Sequence, residues 1–196
     1  MNTLLTRCRW ANPRNPLYLE YHDYEWGIPE HDDRKLFEML VLESFQAGLS
    51  WECVLNKREA FRQAFDGFDV EAVAAYDETK IAELAANPDI IRNRLKIHAA
   101  VNNAQRFIEI QHEAGSFDRY LWQFCRTFLG FDDNAAEPLI QENTVTTSPL
   151  SDALSRDLQQ RGMKFVGTTI VYSFLQAIGV IDSHEDSCSF HQKTQQ

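Results

Sequence analysis

The stretch "IAELAANPDIIRNRLKIHAAVNNAQRF", residues 81–107, decides the fold class. Apolar residues recur in it at helical spacing on both sides of Pro88, and no part of it alternates between apolar and polar as a half-buried strand would. Proline disfavours a helical conformation in the residue before it, so "ETKIAELAAN" is expected to be one helix that stops there. A turn at 88–91 follows, and a long basic amphipathic helix is expected from about 92 to 113.

The same period extends outward. Asp32 or Asp33 caps a helix that reaches about residue 47, where Gly48 stops it, and Ser50 opens another through "WECVLNKREAFRQAF" to Phe65. Asp69 begins "DVEAVAAY", and "FDRYLWQFCRTF" forms a further helix. Residues 130–149 have the composition of a loop with some local structure. Ser148 with Pro149, or else Ser151, opens "LSDALSRDLQQRG" with Gly162 as its stop, and Gly179 closes "TTIVYSFLQAIG". No repeat, low-complexity tract or convincing alternating strand is present. The expectation is an all-α chain in a single domain spanning 1–196.

At 196 residues the chain can bury a substantial core. It has no apolar run near the ~20 residues of a membrane span, and "MNTLLTRCRW" lacks the apolar region of a signal peptide. Cys8, Cys53, Cys125 and Cys188 lie far apart, as in a reducing compartment, so a cytoplasmic protein is expected. A net charge of −10 argues against a protein that coats nucleic acid nonspecifically. The distribution softens this, because 90–107 carries Arg92, Arg94, Lys96 and Arg106 without an acid, and "RGMK" adds Lys164. A solvated helix face is the plain alternative.

On the helix before Gly48, residues Leu36, Leu40, Glu43 and Ala47 share one face, which is expected to point inward. Met39, Leu40, Gln46 and Ala47 occupy the positions three and four away from Glu43, so no intrahelical ion pair accounts for it. Nearby in sequence are Trp10, Trp26 and Trp51, three of the four tryptophans, with Tyr18, Tyr21 and Tyr24. Such clusters are commonly core. An acid among them suits a flat, polar, preferably cationic ligand, which rings stack on and a carboxylate hydrogen-bonds.

Two further groups stand out. Cys8 and His22 near one end, with His184 and Cys188 of "HEDSC" near the other, offer two thiolates and two imidazoles, a set that suits a closed structural zinc site; a helical turn would bring the last pair onto one ion. The spacing is not that of a zinc finger, four unrelated residues is the alternative, and His191 is a rival ligand. The segment 81–107 has the shape of a helix-hairpin-helix, whose turn amides can receive a phosphate, although the usual glycine-rich turn is missing and an ordinary helical hairpin fits too.

The blocks "RCRW", "LYLEYHDYEWGIPEHDDRKLFEMLVLESFQAGLSWECVLNKREAFRQAF", "IIRNRLKIHAAVNNA" and "KFVGTTIVYSFLQAIGVIDSH" together resemble the bacterial 3-methyladenine DNA glycosylase I family nearly end to end. The resemblance implies an all-α fold of the helix-hairpin-helix glycosylase superfamily, one structural zinc ion, and excision of N3-methylated adenine from alkylated double-stranded DNA, with free 3-methyladenine as product. It maps the zinc ligands onto Cys8, His22, His184 and Cys188, and the base pocket onto Trp10, Tyr18, Tyr21, Trp26, Glu43 and Trp51. Arg9, Ser44 and Phe45 differ from one familiar member of the family, and the tail "FHQKTQQ" adds nothing to the resemblance.

On this reading Glu43 recognises the flipped, positively charged base and is also the candidate catalytic carboxylate. Leu49, in the turn "AGLS", is the candidate wedge into the vacated duplex, or else a buried leucine at a helix end. Arg92, Arg94, Lys96 and Lys164 are the candidate DNA contacts, and a monomer with no membrane partner is expected. A noncatalytic zinc-stabilised module that binds damaged DNA or a cationic ligand is the alternative function. A catalytic zinc is disfavoured, because four protein ligands leave no open position.

Overall fold

The computed structural model describes residues 5–137 and 139–191. It is mostly helical, with α1 Pro16–Tyr24, α2 Asp33–Gln46, α3 Trp51–Leu55, α4 Arg58–Ala64, α5 Val70–Ala74, α6 Glu78–Ala86, α7 Arg94–Ala114, α8 Phe117–Leu129, α9 Pro149–Gln160 and α10 Thr168–Ala177. Side chains fix most of the starts. Asp32, Ser50, Asp69, Asp77, Asn93, Ser116 and Ser148 each accept a hydrogen bond from a backbone amide in the first turn of their helix. Gly115 and Gly130 end α7 and α8 in the left-handed conformation.

Four expectations need correction. The helix expected through 50–65 is two, parted at Asn56 and Lys57, and the Lys57 ammonium donates to the carbonyl of Asp89, 2.9 Å away. The break turns α4 so that Arg58 and Arg62 both reach Glu38. Helix α7 starts at Arg94 rather than 92, behind its cap Asn93. Ala47 lies past the end of α2 and is exposed, not inward. The chain also contains a parallel two-stranded ladder, β1 Ile140–Gln141 against β2 Ile181–Asp182, in register Ile140 to Ile181.

One continuous apolar cluster runs from Tyr21 to Ile181. Helix α7 is its spine, packing against α2, α5, α6 and α8, while α10 packs on α9 and α2. Phe107 of α7 stacks on Phe117 at 4.0 Å and meets Phe37 of α2 edge-on at 5.4 Å. Every residue of α2 from Leu36 to Phe45 is buried, which is why that helix shows no polar face. The turn after α10 is tightly packed. A Cβ on Gly179 (φ +75°) would lie 2.3 Å from the backbone of Ile28, so only glycine fits there. No described helix is long and apolar enough to cross a membrane.

Candidate active site: an aromatic cavity beside a cysteine and histidine cluster

Helices α1, α2, α3 and α10, with the segments around Trp10, Trp26 and Asn143, enclose a cavity of about 250 Å³. Trp10, Tyr18, Tyr21, Trp26, Glu43 and Trp51 all line it, so the structure brings together every pocket residue mapped from the sequence. Tyr24 does not join them; it is exposed. Trp10 packs against Tyr18 at 5.3 Å and Trp26 at 4.7 Å, and Tyr21 against Trp51 at 5.2 Å. Glu52 holds the Trp10 segment against α3 by accepting from both Asn12 and Asn15 at 2.8 Å.

Glu43 is 4% exposed, and its Oε2 has no hydrogen-bond partner. The indole Nε1 of Trp51 is likewise buried without a partner. Two orphaned polar atoms in one cavity are costly in a folded protein unless a ligand satisfies them. Burial pushes the Glu43 carboxyl up to about 8. Burial, then Glu43, also raises the Tyr21 phenol, which stays protonated as a donor.

The remaining lining comes from Gln46, Asn143, Ser173, Gln176 and Ser183, which the sequence reading missed. Gln46 was accessible, standing one turn after Glu43. The others arrive through distant chain: the Gln176 amide donates to Ser183 Oγ at 2.7 Å, and Ser183 donates to the carbonyl of Glu142.

Behind Trp10 and Trp26 sits the second group. The ligand atoms of Cys8, His22 and Cys188 lie within 4.8 Å of one another, all buried, so the three could hold a metal ion. His184 faces His22 ring to ring at 5.1 Å, and its buried Nε2 has no partner. Each imidazole is fixed through its other nitrogen, His22 Nδ1 by Asp23 and His184 Nδ1 by Asp182, both at 2.8 Å. This carboxylate–imidazole pairing presents Nε2 to an ion. Burial pushes the Cys8 thiol up to about 12, so a thiolate there requires a cation beside it. The donor set therefore fits a metal. The expected helical turn from 184 to 188 is absent; the segment is irregular and is held by Glu185 N on Cys8 Sγ and Ser189 N on Thr6 O. His191 approaches Asp182 at 3.3 Å, on its Oδ2.

The two groups share a wall. The Trp10 ring lies 5.1 Å from His22, and Trp26 lies 4.7 Å from His184.

The candidate DNA contacts separate. Leu49 is 42% exposed between Gln46 and Trp51. Arg92 and Lys164 are exposed, and Arg94 is exposed but paired with Glu78 at 2.8 Å. Lys96 is no surface contact: it is 6% exposed, with its ammonium on the carbonyls of Phe45 and Ala47. The turn at 88–91 has no glycine, and a glycine-bearing one joins α9 to α10 at "GMKFVG", residues 162–167. Asn103 clamps that turn through both the amide and the carbonyl of Lys164, and Ser44 donates to the Phe165 carbonyl at 3.1 Å. Ser44 thus ties α2 to the turn, while Phe45 fills the core and Arg9 pairs with Glu185.

The model of the methyladenine glycosylase family matches residues 10–192. A DNA-3-methyladenine glycosylase 1 from Escherichia coli (strain K12) is 42% identical over 184 residues, covering 94% of this chain and 96% of that one. A crystal structure of 3-methyladenine DNA glycosylase I superimposes with a TM-score of 0.86 at 43% identity, covering 95% of this chain and all of that one. A tyrosine-to-phenylalanine variant crystallised with 3-methyladenine gives the same score at 36% identity, covering 95% of this chain and 98% of the other. By its sequence, its fold and its extent of match, the chain belongs to the methyladenine glycosylase family.

Proposed function

We propose that this protein removes 3-methyladenine from alkylated double-stranded DNA by hydrolysing its N-glycosidic bond, and that Glu43 in its aromatic cavity selects the base. The observation that carries the reading is the buried, unpartnered Oε2 of Glu43 between Trp and Tyr rings.

Methylation at N3 makes the nucleobase cationic while it is attached to sugar, so it can leave as a neutral molecule without being protonated. Recognition of charge therefore suffices for selection. Without a cation beside it, burial favours the protonated form of Glu43. A cation entering among Trp10, Tyr21 and Trp51 stabilises the carboxylate, and the carboxylate stabilises the cation. Unmethylated adenine is neutral and forfeits this mutual gain. Glu43 is the sole acid among the lining residues. Electrostatic support for the developing positive sugar, or activation of water at C1′, therefore falls to it as well.

Cys8, His22, His184 and Cys188 would hold one structural zinc ion, which contributes cross-linking of the two chain ends and no open position for chemistry. The support is the buried donor cluster and the orphaned Nε2 of His184. For DNA, the cleft formed by Leu95, His98, Ala99, Asn102, Lys164 and Phe165 joins the start of α7 to the glycine-bearing α9–α10 turn. With Arg92 nearby in sequence, this face offers cations and the N-terminus of α10, whose cap Gly167 has no side-chain partner, to the phosphate backbone. Leu49, exposed beside the cavity, is the wedge of this proposal, and the continuous core supports a single domain.

The test is incubation with methylated duplex DNA and identification of the liberated base. Steady release of 3-methyladenine by the native protein, lost in Glu43→Gln, is the expected result. Release undiminished in that variant would falsify the assignment of Glu43, and no release by the native protein would favour the noncatalytic binding module.

A further inference from the structure

We infer that Lys96 is a positioning residue for strand engagement: its buried ammonium holds the 46–49 turn in the orientation that presents Leu49 at the lip of the cavity. The inference rests on the proposed wedge role of Leu49 and extends it to a residue that touches neither base nor DNA.

The turn is defined by its backbone. Leu49 N donates to Gln46 O at 2.6 Å, Ala47 has φ −48° and ψ 112°, and Gly48 has φ +84°. These are the angles of a type II turn with glycine at the position that requires positive φ. The common alternative, type I, has the same ends but the central peptide turned over, and glycine adopts either form without penalty. Sequence alone therefore does not choose between them at "QAGL".

Lys96 makes the choice. Its Nζ donates to the Ala47 carbonyl at 2.7 Å, and that carbonyl belongs to the peptide that distinguishes the two turns. A second bond, to Phe45 O at 2.9 Å, anchors the same ammonium to the last turn of α2. Turning the Ala47–Gly48 peptide over would carry the carbonyl away from a buried cation, leaving a charged donor short of an acceptor. No carboxylate pairs with Lys96 among the described residues, so its charge is compensated by these carbonyls and the negative end of the α2 dipole. Burial lowers the Lys96 pKa, which is the cost of placing it there. Gln46 and Trp51, on either side of the turn, both line the cavity. The turn is thus the stretch where base recognition on one side meets exposed Leu49 on the other.

The test compares release of 3-methyladenine from methylated duplex and methylated single-stranded DNA by the native protein, Leu49→Ala, Lys96→Met and the double variant. A wedge is needed only where a stack must be opened, so the duplex-to-single-strand rate ratio isolates it. Leu49→Ala and Lys96→Met should each lower that ratio roughly tenfold or more, the loss expected when a working group is misplaced by about 1 Å. The double variant should fall no further than Leu49→Ala, because the two act through one element. Binding of free 3-methyladenine reports the folded fraction and should stay within about twofold. Lys96→Arg, which keeps the cation and its donors, should recover most of the ratio. If Lys96→Met slows both substrates equally, or leaves the ratio unchanged while Leu49→Ala lowers it, Lys96 is only a structural cap and the inference fails. A ratio unchanged in Leu49→Ala itself removes the wedge, and this inference with it, but leaves base recognition by Glu43 intact.

Discussion

Helix α2 carries two buried acids, and they live in opposite circumstances. Glu38 is 5% exposed and meets Arg58 at 2.6 Å and Arg62 at 2.8 Å, with Arg58 also gripping Glu25. Glu43, as deeply buried on the same helix, has one oxygen with no partner at all. The two sites therefore answer different demands. A buried charge that serves the fold is compensated by the fold itself, whereas one left uncompensated is a place held for something that arrives later. The chain supplies cations to Glu38 and none to Glu43, which the proposed function assigns to the cationic base.

The largest expected effect separates function from stability at Glu43. Glu43→Gln should reduce release of 3-methyladenine by roughly a hundredfold or more, as loss of one well-placed charged contact does, with no loss of folding. Its stability should show the opposite of the usual pH trend. The folded carboxyl lies at about 8, above its unfolded value, so the native chain holds the extra proton and loses stability as pH rises from about 4.5 towards 8. The glutamine variant lacks that slope. Urea melts of both proteins at pH 6 and 9 should show the variant gaining relative to the native chain, by up to about 5 kcal/mol at the higher pH; parallel behaviour at both values would mean the carboxylate is already satisfied.

Next in size is the cysteine and histidine cluster. Changing Cys8 and Cys188 to serine should abolish stoichiometric metal and weaken binding of free 3-methyladenine, because Trp10 and Trp26 lean on His22 and His184. Full binding by a metal-free variant would uncouple the shared wall. Glu38→Gln should cost about 2–3 kcal/mol in urea unfolding, below the upper range for a broken buried pair because Arg62 is 43% exposed. Its surviving folded fraction should bind the free base normally. If instead it lost base binding at unchanged stability, the roles of the two acids would be reversed. The smallest effect belongs to the surface. Replacing Arg92 and Lys164 together should weaken DNA binding and reduce its salt slope by about two, leaving binding of the free base unchanged.

Much of the fold and the cavity was legible in sequence, for local reasons. Caps such as Asp32, Ser50, Asp69 and Ser148 act within one turn, so the elements they open could be read directly. Glu43 could be singled out because its own helix offers it no partner. What escaped depends on distant chain. Lys96 sits on an amphipathic helix among other cations and reads as solvent-facing, until α2 is seen to end against it. Asn143 and Ser183 follow directly on the paired β1 and β2, a two-residue ladder too short to leave an alternating pattern, and Gln176 comes with α10, which packs on α2. The break after α3 exists so that α4 can deliver arginines to Glu38, a need invisible within 50–65.

The wall shared by the cluster and the cavity has a consequence for biosynthesis. Cys8 and Trp10 are made well before His184, which backs Trp26, and before Cys188, which joins the cluster. A nascent chain can pair its helices while it is still growing, but its aromatic cavity acquires a rear face only when the later segment docks onto the earlier one. The cavity is therefore completed only once the segment around His184 has been made, and chains that stop before it should be inert rather than weakly promiscuous.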